Sequence, residues 1–157
     1  MKISNVILFF ILINNFLFGQ NIGNWKIYSD LKTINSISLD NNIIWASTSG
    51  GVFNYNLTDS SFKTFSKANG LNSQNASSIT IVNSKNIWIG FGEGFINVIN
   101  TNDNTINKIV DIYNTNKSKK QINDFFVSGD SILVSIDFGL SIINSKTYSL
   151  IDSYLKF

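Results

Sequence analysis

The 157-residue chain has no cysteine and no histidine. Without cysteine there are no disulfides in any compartment and no lipid anchor on a lipobox cysteine, so stability has to come from packing. Together the two absences exclude Ser-His-Asp and Cys-His nucleophilic sites and most zinc sites. Arginine is missing too: all twelve basic residues are lysines, and the formal net charge is only +2. Arginine is the usual residue for bidentate recognition of phosphates and base edges, so its absence argues against a nucleic-acid partner. The one basic cluster is Lys117, Lys119 and Lys120. It reads as a solvated loop tip, with a weak site for an anionic partner as the functional alternative.

Long apolar runs are scarce as well. The exception is Val6 to Phe18, interrupted by Asn14 and Asn15, preceded by Lys2 and followed by Gly19-Gln20. This is the pattern of a signal peptide over residues 1–19, cleaved after Gly19. The run is too short and too polar at its middle to span a bilayer comfortably. The mature part, residues 20–157, is therefore expected to be exported to the periplasm, outer membrane or cell surface, with no membrane span.

What the chain does have is a repeat. Residues 43–56 read IIWASTSGGVFNYN, residues 86–99 NIWIGFGEGFINVI and residues 131–144 SILVSIDFGLSIIN. Trp45, Trp88 and Leu133 align, as do Gly51, Gly94 and Gly139, with spacings of 43 and 45 residues. Short runs alternate apolar and polar between Asn, Gly, Asp and Ser, which marks strands. A period of about 40–50 residues built only from strands points to propeller blades. The expected fold is all-β, with three four-stranded blades in an incomplete ring.

The blades are placed at about residues 24–57, 61–100 and 106–145, with the start of a fourth at 148–157. Each is expected to open on an outer strand, at Trp25-Lys26-Ile27-Tyr28, Phe62-Lys63-Thr64-Phe65 and Ile109 to Tyr113. The tight connection Ser49-Gly50-Gly51 reads as a hairpin. The tryptophans read as filling between sheets and the glycines as chain reversals. Asn35 and Asn123 fall in the same slot of the first and third blades. Propellers usually need four or more blades to close, so the chain is expected to be the N-terminal piece of a longer protein.

The remaining motifs carry little chemistry. Asp124, Asp130 and Asp137 sit at loops or strand edges, with nothing to place two carboxyls at glycosidase separation. Gly90-Phe91-Gly92-Glu93-Gly94 precedes a strand, not a helix, so a hairpin outranks a phosphate loop. Asn100-Thr101-Asn102-Asp103-Asn104 lacks the central Gly and closing Glu of a calcium loop and reads as a polar turn. Asn56, Asn75 and Asn116 open weak glycosylation patterns. No catalytic residue, metal ligand or cofactor site is expected, and no binding residue is assigned.

Residues 62–99 resemble the two-component regulator propeller repeat: Gly70-Leu71 before a strand, then Ile87-Trp88-Ile89-Gly90 and a turn at Gly94. The whole mature chain resembles the PorZ-type N-terminal β-propeller family. The likeness runs through Ile22 to Tyr28, Ser49 to Tyr55, Phe65 to Leu71 and Asp137 to Asn144 in order. It implies two seven-bladed propellers and a C-terminal β domain in the intact protein. It also implies a non-enzymatic role in the type IX secretion attachment machinery at the outer membrane. The partner it implies is a sortase-like component; a surface glycan is a second expected ligand class. The alternative is the periplasmic sensor region of a hybrid histidine kinase, which uses the same repeat. A kinase domain or a short β-sandwich downstream would separate the two.

Overall fold

The computed structural model describes residues 30–155. The signal segment and the strand expected at Trp25 to Tyr28 lie outside the described residues. Twelve strands form three four-stranded antiparallel sheets, as the periodicity predicts. The first holds β1 (Ile34–Asp40), β2 (Ile43–Thr48), β3 (Gly51–Asn56) and β4 (Phe62–Phe65). The second holds β5 (Ala76–Val82), β6 (Asn86–Phe91), β7 (Ile96–Asn100) and β8 (Ile106–Ile109). The third holds β9 (Ile122–Ser128), β10 (Ser131–Ile136), β11 (Gly139–Asn144) and β12 (Leu150–Leu155). Strand order in space follows the chain within every sheet. Strands β1, β5 and β9 lie side by side and form the inner edge; β4, β8 and β12 are the outer edge. The three sheets make an open arc of propeller blades.

The grouping of strands differs from the sequence reading. Phe62–Phe65 pairs with β3 and closes the first sheet instead of opening the second. Likewise Leu150–Leu155 pairs with β11, so it is the outer strand of the third sheet and not the start of a fourth unit. The blades are thus 34–65, 76–109 and 122–155. A period does not define its own starting point; the turns do. The β3–β4, β7–β8 and β11–β12 connections are tight loops of one design, opening on Asn56, Asn100 and Asn144. The N–H of each Asn donates to Ser61, Thr105 or Ser149, and its carbonyl accepts from Ser60, Asn104 or Tyr148. Those last three residues share φ near 59°. The Asn side-chain oxygen accepts the N–H two residues on, at Thr58, Asn102 and Lys146. An Asx turn of this kind reverses the chain locally, which binds each outer strand to the strand before it. Asn100 to Asn104 is therefore a turn, as expected.

Burial runs between sheets. Trp88 is fully buried on the face of the second sheet that meets the third, with Ile96, Val98 and Ile109 beside it. The third sheet answers with Phe125, Ile132, Val134, Ile136 and Ile143. Trp88 and Phe125 meet edge to face, centroids 6.3 Å apart. The first interface repeats this with Trp45, Val52 and Phe65 against Ile79, Ile87, Ile89 and Ile99. Leu133 takes the Trp88 position of the third sheet and is half-buried, on the face turned away from the second.

The inner strands are also joined by hydrogen bonds. The β1–β2, β5–β6 and β9–β10 ladders each shift register at one residue, which leaves Asn35, Ser77 and Asn123 unpaired in bulges. Asn35 Nδ2 donates across to the carbonyl of Ala76 at 2.8 Å, and Ser77 Oγ to that of Ile122 at 2.6 Å. A bulge re-aims one side chain, here toward the next blade. Asn123 instead donates to Asp137 at 3.2 Å.

Two substitutions test these interfaces. Trp88→Ala removes a fully buried indole and is expected to destabilise by about 3–5 kcal/mol, read by denaturant unfolding. Unfolding unchanged within error would remove the ring from the core. At Gly90 a Cβ would lie 2.4 Å from Ile122 Cγ2 and from Ser78 Oγ. Gly90→Ala should therefore cost about 1–3 kcal/mol through overpacking. A neutral result would mean that the β5–β9 approach is looser than described.

Candidate functional site

The two ends of the arc differ. One carries the short Asx loops. The other carries the β2–β3, β6–β7 and β10–β11 turns together with the long connections 66–75 and 110–121. The longer loops are pinned to the turns in a repeating way. Ser49, Gly92 and Asp137 donate their N–H to the carbonyls of Thr33, Asn75 and Gln121.

The 66–75 connection is tied down by local contacts. Ser66 and Asn69 close a single 3-10 turn, with Asn69 Oδ1 accepting from the Ser66 N–H at 3.0 Å. Gly70 follows at φ 107°, a conformation that favours glycine. Leu71 then plugs the core at 3% exposure. Here the Gly-Leu pair of the repeat has a physical basis. Asn72 and Asn97 exchange two bonds of 2.8 Å, and Ser73 Oγ donates to Glu93 Oε1 at 2.7 Å.

The glycines expected to share one register do not quite do so. Gly51 and Gly139 begin β3 and β11 after two-residue turns, and a Cβ at either would meet a backbone carbonyl of the outer strand. The second hairpin is one residue longer. Gly94 sits inside its turn at φ 89°, and Phe95 takes the corresponding place. Gly90 to Gly94 is thus a hairpin, as expected, with Phe91 donating to the Phe95 carbonyl at 3.0 Å. The extra residue lets the Phe95 ring stack on Tyr113 of the 110–121 connection, centroids 3.8 Å apart. Neither ring stands out in the sequence pattern.

The lysine cluster falls on the same connection. Lys117 and Lys120 line a cleft of about 360 Å³ with Gly92, Glu93, Tyr113 and Ser118. Lys120 Nζ donates to the Tyr113 carbonyl at 2.5 Å and lies 5.3 Å from that ring's centroid. Beside it, Asn35, Asn75, Ser77 and Gln121 line an uncharged cleft of about 390 Å³ near the inner strands. This end of the arc can recognise a polar ligand through carboxamides, hydroxyls and one cationic rim. Asn56 of the glycosylation patterns holds an Asx turn, while Asn75 lies in this second cleft.

The three aspartates are not brought into a pair. Asp130 bonds Lys146 at 2.6 Å in an exposed ion pair. Asp124 accepts the Phe125 N–H at 2.8 Å, and Asp137 accepts from Asn123. At the opposite end, the Thr105 N–H, then its hydroxyl, hold the Asp103 carboxyl below its usual 3.8. A lowered folded-state pKa favours folding above the ordinary carboxylate range, and this contribution fades as pH falls through the lowered value. Asp103→Asn should therefore flatten the acid limb of the stability curve. An unchanged limb below pH ~4 would refute the Asp103 assignment.

The matching family model is the type IX secretion protein PorZ, N-terminal β-propeller domain, over residues 44–156. The chain belongs to that family. The fold is similar to PorZ, described as an essential bacterial surface component of the type IX secretion system of Porphyromonas gingivalis. The TM-score is 0.76 at 17% identity, with 85% of this chain and 18% of PorZ covered. It is also similar to the extracellular domain of the hybrid two-component system BT4673 from B. thetaiotaomicron. There the TM-score is 0.69 at 15% identity, covering 88% of this chain and 18% of that one. The chain therefore spans under a fifth of either structure. No curated protein matches the sequence. Among the described residues, no helix is long and apolar enough to cross a membrane.

Proposed function

We propose that this chain is a non-catalytic binding and scaffolding part of an exported type IX secretion attachment complex at the outer membrane. The observation that carries the reading is the family match over residues 44–156. The loop end supports it chemically. Its clefts offer amide, hydroxyl and lysine donors. Such a surface suits a protein partner, with the sortase-like component of the machinery as the proposed one. The uncharged cleft at Asn35, Asn75, Ser77 and Gln121 suits a surface glycan as a second ligand.

A sensor role in a two-component system is the second reading, favoured by the likeness to the BT4673 extracellular domain. Deleting the gene in its host separates the two. Loss of the attachment component leaves type IX cargo with uncleaved C-terminal signals or free of the cell surface. Normal cargo processing with a lost transcriptional response to an external ligand would replace the secretion reading with the sensor reading.

A further inference from the structure

The two sheet interfaces are built alike, yet one of them has a slot filled and the other has it open. At the second interface, Tyr148 of the β11–β12 loop lays its ring against Trp88, centroids 5.8 Å apart at 61°. Val82 and Val98 complete that surround and are fully buried. At the first interface the equivalent of Trp88 is Trp45. The equivalents of Val82, Val98 and Tyr148 are Asp40, Asn54 and Asn104. Asp40 pairs with the first residue of β2 as Val82 does with that of β6. Asn54 lies opposite Trp45 as Val98 lies opposite Trp88. Asn104 and Tyr148 hold the same turn position, both at φ 59°.

Where the tyrosine ring stands over Trp88, a cleft of about 160 Å³ remains at the edge of Trp45, which is 4% exposed. It is lined by Asp40, Asn54, Ser84, Thr101 and Asn104, with Ile43 and Ile87. A cavity of about 150 Å³ accepts a benzene ring. The space is thus one ring in size. Phe65 stacks on Trp45 at 5.5 Å and covers one indole face. Asp40 brings a carboxylate acceptor, which already takes the Ser84 hydroxyl at 3.2 Å, and Asn54 brings a carboxamide. Two valines and a tyrosine at one interface are Asp40, Asn54 and Asn104 at the other, which puts hydrogen-bonding groups around the open space.

We propose that the cleft at the edge of Trp45 is a binding site for the phenol side chain of a tyrosine presented by a partner polypeptide. The ring takes the place that Tyr148 holds at the other interface, against the exposed edge of Trp45 and the side chains of Ile43 and Ile87, and its hydroxyl donates to Asp40 or Asn54. This site is at the Asx-loop end, away from the clefts of the proposed function, and does not rest on that reading.

The test uses the full chain and N-acetyl-tyrosinamide as probe. The readout is the indole N–H resonance of Trp45, assigned by Trp45→Phe among the three tryptophans. A saturable shift confined to Trp45 is expected. Asn104→Tyr supplies the ring from within, on a backbone that already carries tyrosine at position 148, and should weaken probe binding at least tenfold. Asn54→Val copies the filled interface without adding a ring and should weaken it several-fold, which covers the case in which Asn104→Tyr fails to fold. The proposal is overturned by the absence of a saturable shift, by affinity unchanged in the folded variants, or by a shift at Trp88 alone. It is equally overturned if glucose shifts Trp45 and N-acetyl-tyrosinamide does not.

Discussion

Every sheet in this molecule depends on having another sheet against its face. The second sheet shows why. Its central strand β6 is buried along almost its whole length, with Trp88 facing one neighbour and Ile87 and Ile89 the other. A four-stranded sheet with two apolar faces has no stable solvated form of its own. Apolar burial supplies most of the driving force but is non-directional. Direction comes from the inner-strand bulges, where Asn35 and Ser77 each reach a carbonyl of the next blade. Gly90 then lets β9 come close enough for that bond. The same dependence explains the outer surfaces of the arc. Ile37 and Leu39 of β1 are 65% and 62% exposed, although their counterparts Ile79 and Ile81 pack into an interface.

The architecture was legible in the sequence because one bulky residue and one reversal per unit leave a period that survives substitution. Leu133 differs in kind from Trp45 and Trp88 and still marks the same strand. The phase of the repeat was less legible. It is written in the Asx loops at Asn56, Asn100 and Asn144, which are spaced more evenly than the tryptophans but hidden among many asparagines. The one-residue difference at Gly94 was hidden as well, because glycine suits both a turn interior and a strand start.

The candidate site was legible in part. Lys117 and Lys120 of the lysine cluster line a cleft, but what shapes that cleft is the Phe95–Tyr113 stack, a contact between two separate segments of the chain. Local pattern carries no signal for such pairs. The long connection 66–75 is held by Asn72, Asn97, Ser73 and Glu93 from two separate segments. Side chains on such a connection are held by hydrogen bonds within the chain itself. Preorganisation of this sort lowers the entropic cost of association.

The placing of each outer strand at the end of its own unit bears on how the chain is made. A polypeptide leaving a pore in N-to-C order, ribosomal or translocational, delivers β1 to β4 as one uninterrupted stretch before any of β5 appears. All pairing within a sheet is between sequence neighbours, so each sheet can zip as it emerges and needs no strand from later in the chain. Loop closure on that scale is fast and entropically cheap compared with long-range pairing. What must wait is the apolar face toward the next unit. The time between successive sheets thus sets how long Trp45 and then Trp88 stand uncovered. A vectorial blade-by-blade order follows from nothing more than which turn is short.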